Sequence, residues 1–279
     1  LELRKLLIYA ISVYRIPQKI KGMTDKRKRK GIPFFNLIMP VFMALLLQYE
    51  SFHTFFSAPE SMGRRFGNFI RGRIPKVDAV RDALALLEAD EVGDLLDSIV
   101  EKTYRNAVFR SGTIGGYTAA AVDGVELFSS TKKSCRKCLT RKNKAGQTEY
   151  FHRSVVCASI GHSPHVVLGQ EMLTPRDGGE KDEGELTGGK RLVRDLHRKF
   201  GHFADVIVAD ALYLNAPFLN TVLDCHMDAV IRLKDEERLI YKDAKGLFEK
   251  GEGRKDGFRR GRKRIEAWDT SGFEMEGVT

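Results

Sequence analysis

The chain has 279 residues, 42% of them hydrophobic, enough for one large domain or two ordinary ones around real cores, which excludes a wholly disordered chain. Its 47 Lys and Arg against 37 Asp and Glu leave a net charge of +10, which favours a polyanionic partner, nucleic acid first. Four cysteines, Cys135, Cys138, Cys157 and Cys225, are too few for a disulfide scaffold at this length and indicate a reducing, cytoplasmic setting.

The opening Leu-Glu-Leu-Arg-Lys has neither Met nor a small-residue cleavage site, so no secretory signal is expected. The basic run from Lys19 to Lys30 reads as a solvated loop or arm, suited to DNA backbone contact or to solubility alone. Phe34 to Leu47 is the most apolar stretch, but it covers only about one-half to two-thirds of a bilayer-spanning length, and Asn36 and Pro40 interrupt it. A buried helix is expected there, and no membrane partner. From Pro33 to about Arg110 the pattern stays helical. Ile74-Pro75 opens a segment in which Val77, Val80, Leu84 and Leu87 share a face, and Val92, Leu95, Leu96, Ile99 and Val100 form the inward face of a second helix. The pair fits a helix-turn-helix and equally any small helical bundle.

Past Gly112-Thr113-Ile114-Gly115-Gly116 strands take over. Ala119 to Phe128, Glu149 to Ile160 and His165 to Leu173 read as an antiparallel set. Glu180 to Phe200 reads as a helix with Leu192, Val193, Leu196 and Phe200 on its apolar face. Then come a strand from Asp205 to Asp210, a helix from Ala216 to His226 and a strand from Asp228 to Leu233, the β-α-β pattern of a parallel sheet. The predicted class is α/β: a mixed sheet flanked by helices and preceded by a helical N-terminal region, with divisions at 1–112, 113–245 and 246–279. From about Lys242 onward Gly and Arg dominate and no helical period is evident.

Two aspartates stand out, Asp123 in Ala-Ala-Val-Asp-Gly-Val-Glu-Leu-Phe and Asp210 in Val-Ile-Val-Ala-Asp-Ala-Leu-Tyr. Such runs read as buried strands, where an ionised carboxylate is costly unless a cation compensates it. Paired acids on strand ends suggest a metal site. The alternative is capping, Asp123 of a turn with Gly124 and Asp210 of the helix that follows.

The ordered set of elements, with Val122-Asp123-Gly124 on the first strand and Val208-Ala209-Asp210-Ala211-Leu212-Tyr213 on the later one, 87 positions on (210 − 123), resembles the ribonuclease H-like core of DDE transposases from bacterial insertion sequences. Asn215-Ala216-Pro217-Phe218-Leu219 and Ala229-Val230-Ile231-Arg232-Leu233-Lys234 are similar to the family's following helix and strand, and Ile74-Pro75-Lys76-Val77-Asp78 to the segment before its core. The resemblance covers roughly residues 70 to 245. It implies that Asp123 and Asp210 are catalytic ligands of a two-ion Mg2+ (or Mn2+) site, with the ions about 4 Å apart. It also implies a Glu on a later helix. Glu249, Glu266, Glu274 and Glu276 are poor matches, because no Arg lies three places after Tyr241 and the following segment is Gly-rich. Residues 246–279 therefore read as the start of a β-rich insertion with the chain cut inside it and the third acid missing.

Cys135-Arg136-Lys137-Cys138 has the spacing of half a zinc site, to which His152, Cys157 or His162 could add ligands, with paired free thiols as the alternative. Lys132, Lys133, Arg136, Lys137 and Arg141 around it suit DNA phosphates. Tyr213 is placed either to stack on a base or sugar or to pack as an ordinary aromatic. The expected function is that of a bacterial, nucleoid-associated transposase, cleaving transposon terminal inverted repeats and joining them to target DNA as a homodimer. The rivals are a ribonuclease H-like nuclease without strand transfer and a non-catalytic DNA-binding remnant.

Overall fold

The computed structural model describes residues 3–56, 75–176 and 182–279. Ile74, and residues 180–181 of the predicted helix from Glu180, lie outside the described residues. The chain divides into two compact units, Leu1–Arg105 and Asn106–Thr279.

The first unit is helical: α1 (Leu3–Val13), α2 (Ile16–Gly22), α3 (Phe34–Leu46), α4 (Phe52–Phe56), α5 (Val77–Leu84) and α6 (Ala89–Arg105). Its core gathers Ile16 and Ile20 of α2, Leu37 to Ala44 of α3, Phe55, Val80 and Ala83. The apolar segment from Phe34 is thus a buried helix. Among the described residues no helix is long and apolar enough to cross a membrane. On α6 Val92 is exposed, whereas Val100 is fully buried, so the inward face is narrower than its apolar spacing suggests.

The run from Lys19 to Lys30 packs only in part: Lys21, Lys26, Lys28, Arg29 and Lys30 stay exposed, and residues 24–30 form a loop. Its first residues continue α2, and Ile20 is 1% exposed. Arg27 pairs with Asp25 at 2.8 Å, donates to the Ile32 carbonyl at 2.7 Å and lies over the Phe34 ring. Thr24 bonds Glu91 through its N–H and hydroxyl, and Lys26 pairs with Glu88. Interspersed polar and apolar residues, with acids supplied from α6 and the residue before it, tie part of a cationic run down.

The second unit is built on a six-stranded mixed sheet. Its strands are β1 (Ala119–Ser130), β2 (Leu139–Lys142), β3 (Thr148–Ile160), β4 (Val167–Met172), β5 (Val206–Ala209) and β6 (Asp228–Ile231). β3 runs antiparallel to β1, pairing Ala119 with Ile160 and Ser130 with Tyr150, with an irregularity between Glu126 and Phe128. Both β2 and β4 pair with β3, β2 at Thr148–Phe151 and β4 from Ser154 to Ala158. On the other side of β1, β5 and then β6 are parallel. Omitting the short β2, the order β4-β3-β1-β5-β6 is the ribonuclease H-like arrangement. Parallel neighbours need a crossover. Helix α7 (Glu185–Phe200) precedes β5, and α8 (Ala216–Asp224) joins β5 to β6. α7 packs on β3 and β4, burying Leu192, Val193 and Leu196 against a face that includes Val122, Val155 and Leu168.

Beyond the sheet, α9 (Leu239–Glu249) and a hairpin of β7 (Arg254–Arg260) and β8 (Lys263–Asp269) correct the expectation that no helix forms there. Ile240, Ala244, Leu247 and Phe248 recur at helical spacing and are half-buried; intervening Lys, Asp and Gly obscure that period. Phe248 meets Trp268 of β8, the ring centroids 5.6 Å apart.

Candidate active site

The sheet pairs the strands that lead to the two aspartates. β1 and β5 are parallel, and their register runs from Ala119↔Val206 to Val122↔Ala209. Asp123, inside β1, is the residue after the last pair of that register, and Asp210 immediately follows the carboxyl end of β5. Neighbouring strands are about 4.8 Å apart and in-register side chains share a face, so extending that register by one residue would put the two aspartates side by side. They are not buried, as their apolar surroundings suggested. Val122 and Ala209 are 1% and 8% exposed, but the core ends with them, and both aspartates reach solvent. Exposure removes the desolvation cost and leaves the carboxylates accessible to a ligand.

Each aspartate is also tied down locally. Asp123 Oδ1 accepts from the Gly124 N–H at 2.8 Å, and Asp210 Oδ1 accepts from the Leu212 N–H at 2.9 Å, capping the 3-10 turn Ala211–Tyr213. Capping and ligation are therefore compatible: one oxygen orients each carboxylate and the other remains available. Asp210 Oδ2 is 3.9 Å from Lys234 Nζ, with both side chains about half exposed.

A further carboxylate, Glu185, packs against the residue after Asp123. A Cβ on Gly124 would stand 2.3 Å from Glu185 Cδ and Oε2, so glycine at this position is what admits the Glu185 head group against β1. Glu185 opens α7, and Arg153 of β3 holds it at 2.6 Å. Upstream, Glu183 pairs with Arg191 at 2.5 Å and accepts from the Thr174 N–H and hydroxyl, and Arg191 also binds Glu171, fixing the start of the helix. All three acids act on Tyr213, but among the described residues their carboxylate oxygens do not lie within 4.8 Å of one another as a group of three. Burial, then the charges of Glu185, Asp123 and Asp210, push the Tyr213 hydroxyl far above its ordinary pKa. That hydroxyl is buried with no hydrogen-bond partner among the described residues. A cavity of about 230 Å3 borders Glu185, lined also by Arg153, Glu183, Leu139 and Leu212. The only sequence signal for Glu185 is an acid in a first helical turn, which ordinarily reads as a dipole complement.

The exposed carboxylates of Asp123 and Asp210 are hard oxygen donors, the kind a divalent cation such as Mg2+ takes.

Tyr213 cannot stack on a base. It is 0% exposed, packed 4.8 Å from Phe218 centroid to centroid, and Gly189 of α7 approaches it so closely that a Cβ there would lie 2.8 Å from its ring. Arg141 is likewise committed elsewhere. Its guanidinium takes both oxygens of Glu126, at 2.6 and 2.9 Å, and Glu149 at 2.7 Å, while stacking over Phe151. Those bonds hold Glu126 below the usual carboxylate range. Lys132, Lys133, Arg136 and Lys137 are exposed on the β1–β2 connection and form no ion pair among the described residues.

That connection also carries the cysteines. Cys135 Sγ, Cys138 Sγ and His152 Nε2 lie within 3.6 Å of one another, a Cys2His group. Cys157 is not part of it: it is buried in β3, where burial pushes its thiol up to about 12.

No protein-family model matches the chain, and no curated protein matches it. Among solved structures it is similar to the piggyBac transposase in a synaptic complex with hairpin DNA, at 15% identity and a TM-score of 0.41, over 92% of this chain and 56% of that one. The chain thus spans a little over half the length of that protein.

Proposed function

We propose that this chain is a DNA transposase of the bacterial insertion-sequence type, a cytoplasmic protein that works as a homodimer on terminal inverted repeats and target DNA. The observation that supports the reading is the parallel register of β1 on β5, whose last pair, Val122↔Ala209, comes one residue before Asp123 and Asp210. Asp123 and Asp210 would hold Mg2+ (or Mn2+) through the oxygens not used in their caps, with Glu185 contributing a third carboxylate. When bound, the ions supply charge neutralisation at the scissile phosphate.

The chain's own groups do the positioning. The Gly124 and Leu212 N–H groups fix the planes of the two carboxylates, and Arg153 fixes Glu185. Lys132, Lys133, Arg136 and Lys137 hold the DNA backbone. In cleavage, a water oxygen bonds to phosphorus, the 3′ oxygen leaves and takes up a proton, and a free 3′-hydroxyl and a 5′-phosphate remain. In transfer, that hydroxyl attacks a target phosphodiester and displaces another 3′ oxygen.

The test uses a supercoiled plasmid carrying the DNA that flanks this chain's own gene. Mg2+-dependent nicking at the ends, with strand-joined products, is expected from the wild type, and Asp210→Ala should lower it about 100-fold or more. Nicking that survives Asp210→Ala contradicts the site. Nicking without joined products identifies a nuclease instead, and binding with no cleavage a DNA-binding remnant.

A further inference from the structure

The Cys2His group sits apart from the acids in chemistry, and its geometry does not depend on the transposase reading. Cys135 lies in the β1–β2 connection, Cys138 immediately precedes β2, and His152 is on β3, in register with Phe128 of β1. The three donor atoms form a near-equilateral triangle: Cys135 Sγ to Cys138 Sγ 3.6 Å, Cys135 Sγ to His152 Nε2 3.3 Å, and Cys138 Sγ to His152 Nε2 3.4 Å. Zinc bonds of about 2.3 Å to sulfur and about 2.0 Å to nitrogen, at tetrahedral angles, require edges of roughly 3.5–3.8 Å. The observed triangle is that face of the tetrahedron to within a few tenths of an ångström.

Each sulfur also receives a backbone N–H, from Lys137 to Cys135 Sγ at 3.4 Å and from Cys135 to Cys138 Sγ at 3.2 Å. Such bonds stabilise charge on thiolates. A disulfide is not what the geometry describes, since bonded sulfurs lie about 2.05 Å apart. A redox pair would need only the two thiols, whereas here an imidazole nitrogen converges on both.

We propose that Cys135, Cys138 and His152 form a zinc site, with the fourth position open on the exposed Cys135 side. Two thiolates and a neutral imidazole are soft and borderline ligands, which select Zn2+ over Mg2+. The ion would clip the 131–138 connection to β3. Two thiolates balance its charge, so the four surrounding cations, Lys132, Lys133, Arg136 and Lys137, keep theirs for an anionic partner.

The test is metal content and spectroscopy on the full chain, with no DNA or activity involved. Protein made in zinc-supplemented medium should carry one Zn2+ per chain, and Cys135→Ser and His152→Ala should each carry almost none. Cys157→Ser and Cys225→Ser should keep it. Co2+ loaded in place of Zn2+ should give intense tetrahedral d–d bands and sulfur-to-cobalt charge transfer, both lost in Cys135→Ser, an exposed position whose replacement leaves the core intact. Metal-free wild-type protein whose Cys135 and Cys138 oxidise to a disulfide would overturn the proposal, as would zinc retained in the Cys135→Ser, Cys138→Ser double variant.

Discussion

The aspartates on and after β1 and β5 and the connection between β1 and β2 both offer side chains of the kind that bind metals, yet they are assembled in different ways. In the first the donors are hard oxygens from residues far apart in sequence, carried by strands that parallel register pairs up to the preceding residues. In the connection the donors are soft, two of them three residues apart, and a hairpin brings in the third. The first arrangement exists only once the sheet has formed. The second needs little more than β2 pairing with β3. A site assembled by register should be sensitive to changes in backbone packing around it, and a site assembled by a hairpin should be sensitive mainly to its own ligands.

Tyr213→Ala is the severest way to probe that contrast. Removing a fully buried ring that packs on Phe218 and α7 should cost about 3–5 kcal/mol in denaturant unfolding and disturb the acids, while any zinc content stays unchanged. Tyr213→Phe should be neutral or slightly stabilising, because the hydroxyl it deletes has no partner. If Tyr213→Phe were as damaging as the alanine variant, the hydroxyl would have a role not evident from its surroundings.

Gly124→Ala should come next. The new methyl would meet the Glu185 carboxylate, which Arg153 holds in place, and a displacement of about 1 Å near a reacting centre costs up to about 100-fold in rate. Cleavage should fall while the thermal midpoint moves only slightly, because the atoms displaced are the far end of a side chain. Unchanged cleavage in this variant would remove Glu185 from the site.

The cations separate on a finer scale. Replacing Lys132 or Lys133 with Ala should reduce the slope of log affinity for DNA against log salt by about one each, and Arg141→Ala should leave it unchanged because its charge is neutralised by Glu126 and Glu149. The smallest effect is on acid stability. Burial alone would raise the Glu183 carboxyl, but the bonds from Arg191 and Thr174 outweigh it and hold it below the usual glutamate value. Its contribution is therefore complete above the unfolded-state value and lost as the pH falls through the lower, folded-state one. Glu183→Gln should flatten the acid limb of a stability profile below about pH 4 and leave the neutral region with a constant offset.

Much of this architecture is legible in local sequence words. The strand at Ala119, the long aromatic strand ending at Ile160, the helix ending at Phe200 and the β-α-β that follows all carry short-range periodicity, and the two acids end apolar runs. What local words do not carry is depth and convergence. The aspartates look buried because burial stops only one residue earlier, at Val122 and Ala209. Tyr213 and Arg141 look like ligand-facing groups until the sheet assigns one to the core and the other to two glutamates. Glu185 lies 62 positions from Asp123 (185 − 123) in an ordinary helix start, and only the packing of α7 beside Gly124 gives it a role.

Mn2+ binding followed by electron paramagnetic resonance on zinc-loaded protein tests the central claim most directly, that Asp123 and Asp210 together hold a hard divalent cation. Wild type and Cys135→Ser should bind Mn2+ alike, and Asp123→Asn and Asp210→Asn should each weaken it by about tenfold or more. Equal Mn2+ affinity in wild type and both aspartate variants would contradict the account.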